Sequence, residues 1–171
     1  MNESRVRTKI YMKIEYVPIG TIHTEFIRTE DAPIQGVFAE EAGGKVEIFS
    51  EYASGLKDIE SFSHVILIYH CHLAKGYSLI SRPFLDDKDR GIFSIRHFKR
   101  PNPIGLSIVK LERVVGNILE ISEVDIINGT PLLDIKPFIP LFDNRIKANN
   151  GWVGSPGIDM ERGEAGRHRD E

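Results

Sequence analysis

The chain has 171 residues, of which 41% are hydrophobic and 27% are charged, with a formal net charge of -3 and a single cysteine. This composition is typical of one globular domain with its own core, and it excludes a polycation and an intrachain disulfide. The polar start of the chain contains no apolar signal region, and no apolar run is long enough to span a bilayer. We therefore expect a cytoplasmic protein with no membrane partner.

Taken in chain order, the apolar pattern predicts short strands separated by turns. Strands are expected at 10–22, 34–39, 45–49, 65–69, 91–95, 106–115, 118–127 and 130–135. Ser50 is placed to cap a short helix that ends near Ile59. The pairs Gly116-Asn117 and Asn128-Gly129 are expected to form tight turns between strands.

This succession predicts a mainly β fold. We expect a small single-domain β-barrel of about seven strands with one or two short helices, since closure removes exposed sheet edges. The barrel domain is predicted over 10–147. The stretches 1–9 and 154–171 are predicted to be flexible termini because they hold few apolar residues.

Positive charge is concentrated in the segment 82–113, which holds eight Lys or Arg and four acidic residues, whereas the rest of the chain has a net charge of -7. Within this segment Arg96, Lys99 and Arg100 lead into Pro101-Asn102-Pro103. Each proline fixes its own φ and restricts the residue before it. A stiff array of cations favours an anionic ligand, because arginine offers carboxylate or phosphate a planar fork. The alternative is a solvated charged face.

Three further groups could carry chemistry. Asp134 could bind an amino group or a ribose hydroxyl, or simply pair with Lys136 at the surface. Gln35 beside a glycine could bind an adenine edge, and Asn102 offers both a donor and an acceptor. His70 and His72 lie on one face of a predicted strand, but no further ligand joins them at metal spacing, so no metal site is predicted. The chain has neither a dinucleotide-binding glycine fingerprint nor a Walker loop.

Four motifs occur together in this order: Pro33-x-Gln-Gly36; Phe62-Ser-His64 before an apolar strand; Gly91-x-Phe-x-x-Arg-x-x-x-Arg-Pro-Asn-Pro-Ile-Gly-x-Ser107; and Asp125-x-x-Asn-Gly-Thr-Pro-x-x-Asp-Ile-Lys-Pro137. With them the chain resembles the TsaA/TrmO-like family over about residues 14–143. The resemblance implies a small β-barrel that dimerises with a second copy. It also implies an enzyme that uses S-adenosyl-L-methionine to methylate N6 of N6-threonylcarbamoyladenosine at position 37 of tRNA.

The resemblance also implies which residues form the sites. The cofactor pocket would comprise Pro33, Ile34, Gln35, Cys71, His72, Leu73, Arg96, Leu106, Asp134, Ile135, Lys136 and Pro137. RNA would be bound by Lys99, Arg100 and Asn102. His72, His97 and Asp134 remain alternative candidates for the general base. The chain departs from the family pattern at Ile34, where many relatives have arginine, and at Arg96-His-Phe-Lys99, where Arg-Ser-Pro-His is more usual.

Two other functions remain open from the sequence. The chain could be an S-adenosyl-L-methionine-binding barrel that methylates a different substrate, which the isoleucine at position 34 favours. It could also be a non-catalytic module that binds RNA or a nucleotide.

Overall fold

The structure is a computed structural model that describes residues 12–155 and residue 158. Its strands are β1 (Gly20–Thr24), β2 (Gly44–Ile48), β3 (His64–His70), β4 (Ile80–Ser81), β5 (Arg90–Gly91), β6 (Ile104–Val115), β7 (Ile118–Ser122) and β8 (Thr130–Pro137). One α-helix, α1 (Pro140–Asp143), follows them. Short 3₁₀ helices occupy Gly36–Phe38, Ser50–Leu56, Ile59–Ser61, Ile92–Ser94 and Gly151–Gly154.

Six of these strands close into a barrel with the order β1-β2-β7-β6-β3-β8, and every neighbouring pair is antiparallel. The remaining two, β4 and β5, form a small separate ribbon. The prediction of a mainly β barrel is therefore confirmed, with six strands in the barrel and two outside it. In the closed ring β3 lies between β6 and β8, directly opposite β2.

Alternation along the strands fills the barrel interior. On β3 the side chains of Val65 and Leu67 are fully buried, and they pack with residues such as Val109 and Leu119 from β6 and β7. Period-2 geometry turns every second residue of a strand inward. Full burial of such a side chain contributes about 1.5–3 kcal/mol, so the apolar alternation of these strands provides most of the stabilisation of the barrel.

Several predicted turns and strands match the structure. The hairpin at Gly116-Asn117 joins β6 to β7, and Gly116 adopts a φ of +62° that favours glycine. The prediction of a first strand over 10–22 is wrong for residues 12–19, which form no strand, because β1 begins at Gly20.

Two further predicted strands are wrong. Residues 34–39 contain a 3₁₀ helix, since β1 is already paired on both sides and leaves no edge for another strand. The stretch 91–95 is a 3₁₀ turn after a two-residue strand, because the guanidinium of Arg100 binds the carbonyl oxygens of Ile92 and Ile95 that a neighbouring strand would otherwise bind.

The predicted helix after Phe49 exists, but it is a 3₁₀ helix and Ser50 does not cap it. Phe49 occupies the capping position with no side-chain hydrogen bond. The predicted flexible termini lie outside the described residues except for positions 154, 155 and 158. Within the part of the chain that the structure describes, no helix has the length and apolar character needed to cross a membrane.

Candidate functional site

A chain of hydrogen bonds lies at one end of the barrel. Ser107 on β6 is buried, and its hydroxyl donates to Oδ1 of Asp125 at 2.6 Å. The Tyr69 hydroxyl lies 3.0 Å from the Ser107 oxygen and donates to it, because the Ser107 hydrogen is already engaged by Asp125. Burial raises the pKa of the Tyr69 phenol and of the Asp125 carboxyl. The barrel end therefore holds an acid whose charged form is disfavoured by burial and supported by its hydrogen bonds.

The loop that begins at Pro33 is fixed to this network through its glycine. The backbone N–H of Gly36 donates to the Asp125 carboxyl. A Cβ at Gly36 would lie 1.9 Å from the carbonyl oxygen of Glu123, so no other residue fits without displacing the backbone. This contact explains the glycine of the Pro-x-Gln-Gly motif and keeps Gln35 at the end of the barrel.

Gln35 and Arg96 meet across this end. Nη1 of Arg96 donates to Oε1 of Gln35 at 2.8 Å, while the Gln35 amide nitrogen donates to the Ile34 carbonyl at 2.7 Å. Arg96 is exposed, and its positive charge also favours the charged form of the Asp125 carboxyl. The result is an oriented guanidinium at the surface with a carboxyl beneath it.

A second glycine is required where β3 faces β6. Gly105 is paired with Tyr69, and a Cβ at Gly105 would lie 2.1 Å from the tyrosine ring. Any larger residue would move the ring away from Ser107. The glycine of the Pro-Ile-Gly motif is therefore needed for the hydrogen-bond network.

The residues that follow β3 lie next to this network. The Cys71 amide donates to the Pro103 carbonyl at 2.8 Å, so the proline strut is tied to the end of β3. Burial raises the pKa of the Cys71 thiol to about 11, which leaves it protonated at neutral pH. Leu73 is 49% exposed.

His72 is held in a defined tautomer. Its Nδ1 lies 3.3 Å from the hydroxyl oxygen of Thr130, and that hydroxyl donates its hydrogen to the Ile127 carbonyl at 2.7 Å. Nδ1 is therefore the donor to Thr130, and Nε2 keeps its lone pair. Burial, and then the charge of His70, lower the pKa of His72. Among the described residues, no group of three or more His, Cys, Asp or Glu side chains could hold a metal ion.

The other two candidate bases are differently engaged. The His97 ring stacks on Phe98 with centroids 4.5 Å apart, and its Nδ1 accepts the Lys99 amide hydrogen at 3.0 Å. Asp134 accepts the Ile135 amide at 2.9 Å through Oδ1 and lies 2.7 Å from the Lys136 ammonium through Oδ2. Both oxygens of Asp134 already accept hydrogen bonds.

Three residues form a row across the outside of the barrel. Leu106 on β6 is paired with Ile68 on β3, and Ile68 is paired with Asp134 on β8. Leu106 is 53% exposed, whereas its neighbour Ser107 is buried, so the row faces outward. Leu106 and Ile68 thus form an apolar strip, and the Asp134–Lys136 ion pair borders it. Ile135, in contrast, packs against the core.

The predicted RNA-binding residues differ in their surroundings. Lys99 and Asn102 are exposed. The Arg100 guanidinium donates to the carbonyls of Ile92 and Ile95 at 2.9 and 2.8 Å, and its Cζ lies 5.6 Å from the Phe93 ring centroid. Arg100 therefore stabilises the basic segment itself.

The structure brings the predicted residues together in two groups, one at the barrel end around Gln35 and Arg96 and one on the outer row that includes Leu106 and Asp134. The sequence reasoning missed the network beneath the first group. Ser107 and Asp125 both belong to the long motifs of the sequence, and their place in those motifs was the only signal. Tyr69 gave none.

Comparison with known proteins shows that the chain matches one protein family. Residues 21–144 match the family described as the tRNA-methyltransferase O N-terminal domain. A Pyrococcus abyssi protein named as a probable S-adenosyl-L-methionine-binding protein is 51% identical over 142 residues, which cover 83% of this chain and 77% of that protein. An Escherichia coli protein named tRNA (adenine(37)-N6)-methyltransferase is 29% identical over 157 residues, which cover 85% of this chain and 67% of that protein.

A solved structure is also similar. The crystal structure of TrmO from Pseudomonas aeruginosa superposes with a TM-score of 0.72 at 35% identity, covering 85% of this chain and 65% of that chain. The chain therefore spans just under two thirds of the length of that structure, and it covers 38% of one Archaeoglobus fulgidus relative.

Proposed function

Because the chain belongs to the tRNA-methyltransferase O N-terminal domain family, we propose that it uses S-adenosyl-L-methionine to methylate N6 of N6-threonylcarbamoyladenosine at tRNA position 37. The Escherichia coli relative is named for the N6 of adenine 37, and the threonylcarbamoyl group is the finer part of the proposal. The observation that carries the proposal is the oriented Arg96–Gln35 pair over a buried carboxyl, at the end of a barrel with an adjacent apolar strip.

The donor set of this region suits S-adenosyl-L-methionine, which has a carboxylate, an amino group, ribose hydroxyls and an apolar adenine face. We assign Arg96 to the carboxylate, since a guanidinium forms charge-assisted hydrogen bonds with it. Asp134 would accept from the amino group or a ribose hydroxyl, and Leu106 would cover the adenine. The cofactor, when bound, supplies an electrophilic methyl group. The chain's own residues orient it and the nucleophile, which is the main requirement of an in-line displacement.

The nucleophile requires the removal of one proton. The N6–H of a carbamoylated adenosine is more acidic than that of plain adenosine, so a modest base is sufficient. Among the three candidates, His72 is favoured because its Nε2 keeps a lone pair while Thr130 fixes the ring. His97 already accepts a hydrogen bond through Nδ1, the atom that would act as the base, and Asp134 is assigned to the cofactor.

A methylation assay tests this function. The purified chain would be incubated with labelled S-adenosyl-L-methionine and with tRNA that carries or lacks the threonylcarbamoyl group. We expect label only in the modified tRNA, at N6. Label in both tRNAs, or in neither but in another RNA, would favour a different substrate, for which Ile34 is the motivating residue. Binding without any transfer would favour a non-catalytic RNA-binding module.

Calorimetric titration with S-adenosyl-L-methionine tests the cofactor assignment separately. Replacing Arg96 by alanine should weaken binding about ten- to hundred-fold, as expected for the loss of charge-assisted hydrogen bonds. The matched control is Arg113→Ala, which removes an exposed arginine paired with Glu120 near the far end of β6. Unchanged affinity in the Arg96 variant would contradict the assignment.

We also propose that the chain forms a homodimer through the outer face of β6. Ile104 and Ile108 are 44% and 42% exposed on either side of Leu106, and they extend the apolar surface of β6 beyond the residue that we assign to the adenine. Sedimentation velocity should detect a dimer that the Ile108→Lys variant disrupts. A monomeric wild-type chain at micromolar concentration would refute the proposal.

A further inference from the structure

Phe93 is an exposed aromatic residue on a turn whose two isoleucines are buried. It is 74% exposed, whereas Ile92 and Ile95 on the same turn are 1% and 7% exposed. The two isoleucines anchor the turn in the interior, so Phe93 contributes little to the core. The Phe93 ring contributes little to packing and is therefore available for contact with a partner.

The turn that carries Phe93 is held rigidly from both sides. From within, Arg100 donates to the carbonyls of Ile92 and Ile95 at 2.9 and 2.8 Å. From the other side, Nε1 of Trp152 donates to the Ser94 carbonyl at 2.7 Å. Since side chains from outside the turn bind three of its carbonyls, the backbone that carries the ring is held in one conformation, which lowers the entropy lost when a partner binds.

A cation lies beside the ring. The Arg100 guanidinium lies 5.6 Å from the ring centroid, and Arg96 and Lys99 belong to the same segment, whereas Arg90 is paired with Asp86. Lys99 is exposed and forms no salt bridge with any acidic side chain that the structure describes. An aromatic face among cations favours a partner that is both flat and anionic. Unpaired nucleotides have these two properties, because every base has a π-face and every linkage carries a phosphate.

We propose that Phe93 is a stacking platform for an unpaired RNA base that flanks the methylated adenosine, with the phosphate beside it bound by Lys99. The proposal rests on the proposed function for the identity of the RNA. It assigns to Phe93 a role in substrate binding that is separate from cofactor binding at Arg96 and from proton removal at His72. A ring outside the cofactor site selects RNA loops whose bases are already unstacked.

Fluorescence titration tests the stack directly. The probe is an RNA hairpin with a single 2-aminopurine in its loop beside the target adenosine, at low salt and without cofactor. Stacking on an aromatic ring quenches this base. We expect the wild-type chain to quench it, Phe93→Tyr to retain the quenching, and Phe93→Leu to abolish it with a roughly 5- to 100-fold loss of affinity, which is the range for one base–aromatic stack.

The matched control is Phe142→Leu, which changes another exposed phenylalanine, 60% exposed, on α1. It should bind and quench as the wild-type chain does. All variants should remain folded at the temperature of the titration, because neither ring is buried. Quenching that survives in Phe93→Leu, or that the wild-type chain never shows, would overturn the proposal.

The competing occupant of the ring is a second copy of this chain. If Phe93→Leu shifted the sedimentation coefficient towards the monomer while the affinity per dimer for the hairpin stayed unchanged, the ring would belong to a dimer interface and the proposal would be wrong. The test is also independent of catalysis. Normal hairpin binding and quenching with no methyl transfer to any tRNA would refute the proposed function and leave the stacking role supported.

Discussion

Asp125 shows how a single residue can organise a site from beneath. It accepts hydrogen bonds from Ser107 and from the backbone of Gly36, and it lies near the positive charge of Arg96. Through these contacts it joins β6, the Pro33 loop and the basic segment. Its loss would therefore disturb the orientation of residues that we assign to the cofactor, without removing any of them.

The pH dependence of stability tests this carboxyl. Burial raises the pKa of folded Asp125 above the ordinary value of about 3.9. Its contribution to stability is therefore fully present below that value and is lost as the pH rises through the raised pKa. Asp125→Asn keeps the acceptor oxygen and cannot ionise. We expect the stability of the wild-type chain relative to this variant to fall between about pH 4 and neutrality, measured by urea unfolding.

Asp86 provides a control with the opposite sign. A hydrogen bond from Arg90 lowers its pKa, so its contribution is present above the ordinary value and is lost as the pH falls. In the same urea experiments the free energy of unfolding of Asp86→Asn should be lower than that of the wild-type chain near neutral pH. This difference should disappear at acid pH. A shared trend for both variants would mean that neither carboxyl responds to its own environment.

His72 carries the second prediction at the scale of a residue. His72→Gln should reduce the turnover rate about 10²- to 10⁴-fold with little change in the affinity for S-adenosyl-L-methionine, as expected for a general base. Because its pKa is lowered, the acid limb of the rate profile should lie below about pH 6.5.

His70 gives a matched control for this profile. Its charge contributes to the lowered pKa of His72, so His70→Gln should keep turnover and move the acid limb to higher pH. An unaltered profile in His72→Gln would transfer the role to another group.

At the scale of an element, the segment Gly151–Gly154 acts as a clamp on the basic turn. Trp152 donates to the Ser94 carbonyl at 2.7 Å, and the Arg90 guanidinium lies 4.5 Å above its ring. The turn follows β5, which has two residues and pairs, among the strands that the structure describes, with β4 alone. Its rigidity therefore depends on a segment that follows it by about sixty positions in the sequence.

Hydrogen exchange tests this clamp. Trp152→Phe keeps an aromatic ring under Arg90 but loses the hydrogen bond, which costs about 1 kcal/mol. Trp152→Ala also loses the cation–π contact, which contributes about 0.5–1 kcal/mol at exposed sites. We expect the amides of 90–95 to exchange faster in that order, while core amides such as that of Val65 do not change. Equal protection in both variants would argue against the clamp.

At the scale of the whole molecule, positive charge is concentrated in one segment of a chain that is otherwise acidic. The net charge is -3, yet residues 82–113 are net positive. This asymmetry favours approach of a polyanion to that segment. Within it, Lys99 is available to a phosphate, whereas Arg100 is engaged by carbonyl oxygens.

The salt dependence of RNA binding tests this division. Lys99→Ala should reduce the slope of log K against log salt by about 0.7, the value for one phosphate contact with a single strand. The control is Lys45→Ala on β2, opposite β3 in the ring, which should leave the slope unchanged. Arg100→Ala should destabilise the basic turn as well as weaken binding. Equal slopes in the Lys99 and Lys45 variants would contradict the prediction.

The sequence by itself determined the barrel and the family. Alternating apolar residues predict strands such as β6, and a continuous apolar run predicts β3, because both patterns are local properties of the sequence. The patterns failed at 34–39 and 91–95, where tertiary contacts decided the conformation. The long motifs ending at Ser107 and Pro137 were sufficient to identify the resemblance, and they also contain the glycines whose need becomes clear only from the contacts of Gly36 and Gly105.

The tertiary structure alone decided what each charged residue does. Arg96 and Arg100 are four positions apart and identical in the sequence, but one reaches Gln35 at the surface and the other two backbone carbonyls. The sequence did not predict the exposure of Phe93 or the burial of Asp125 either. Such contacts join residues far apart in the chain, and their energies depend on burial and on geometry over a few ångströms, which no local pattern of residues contains.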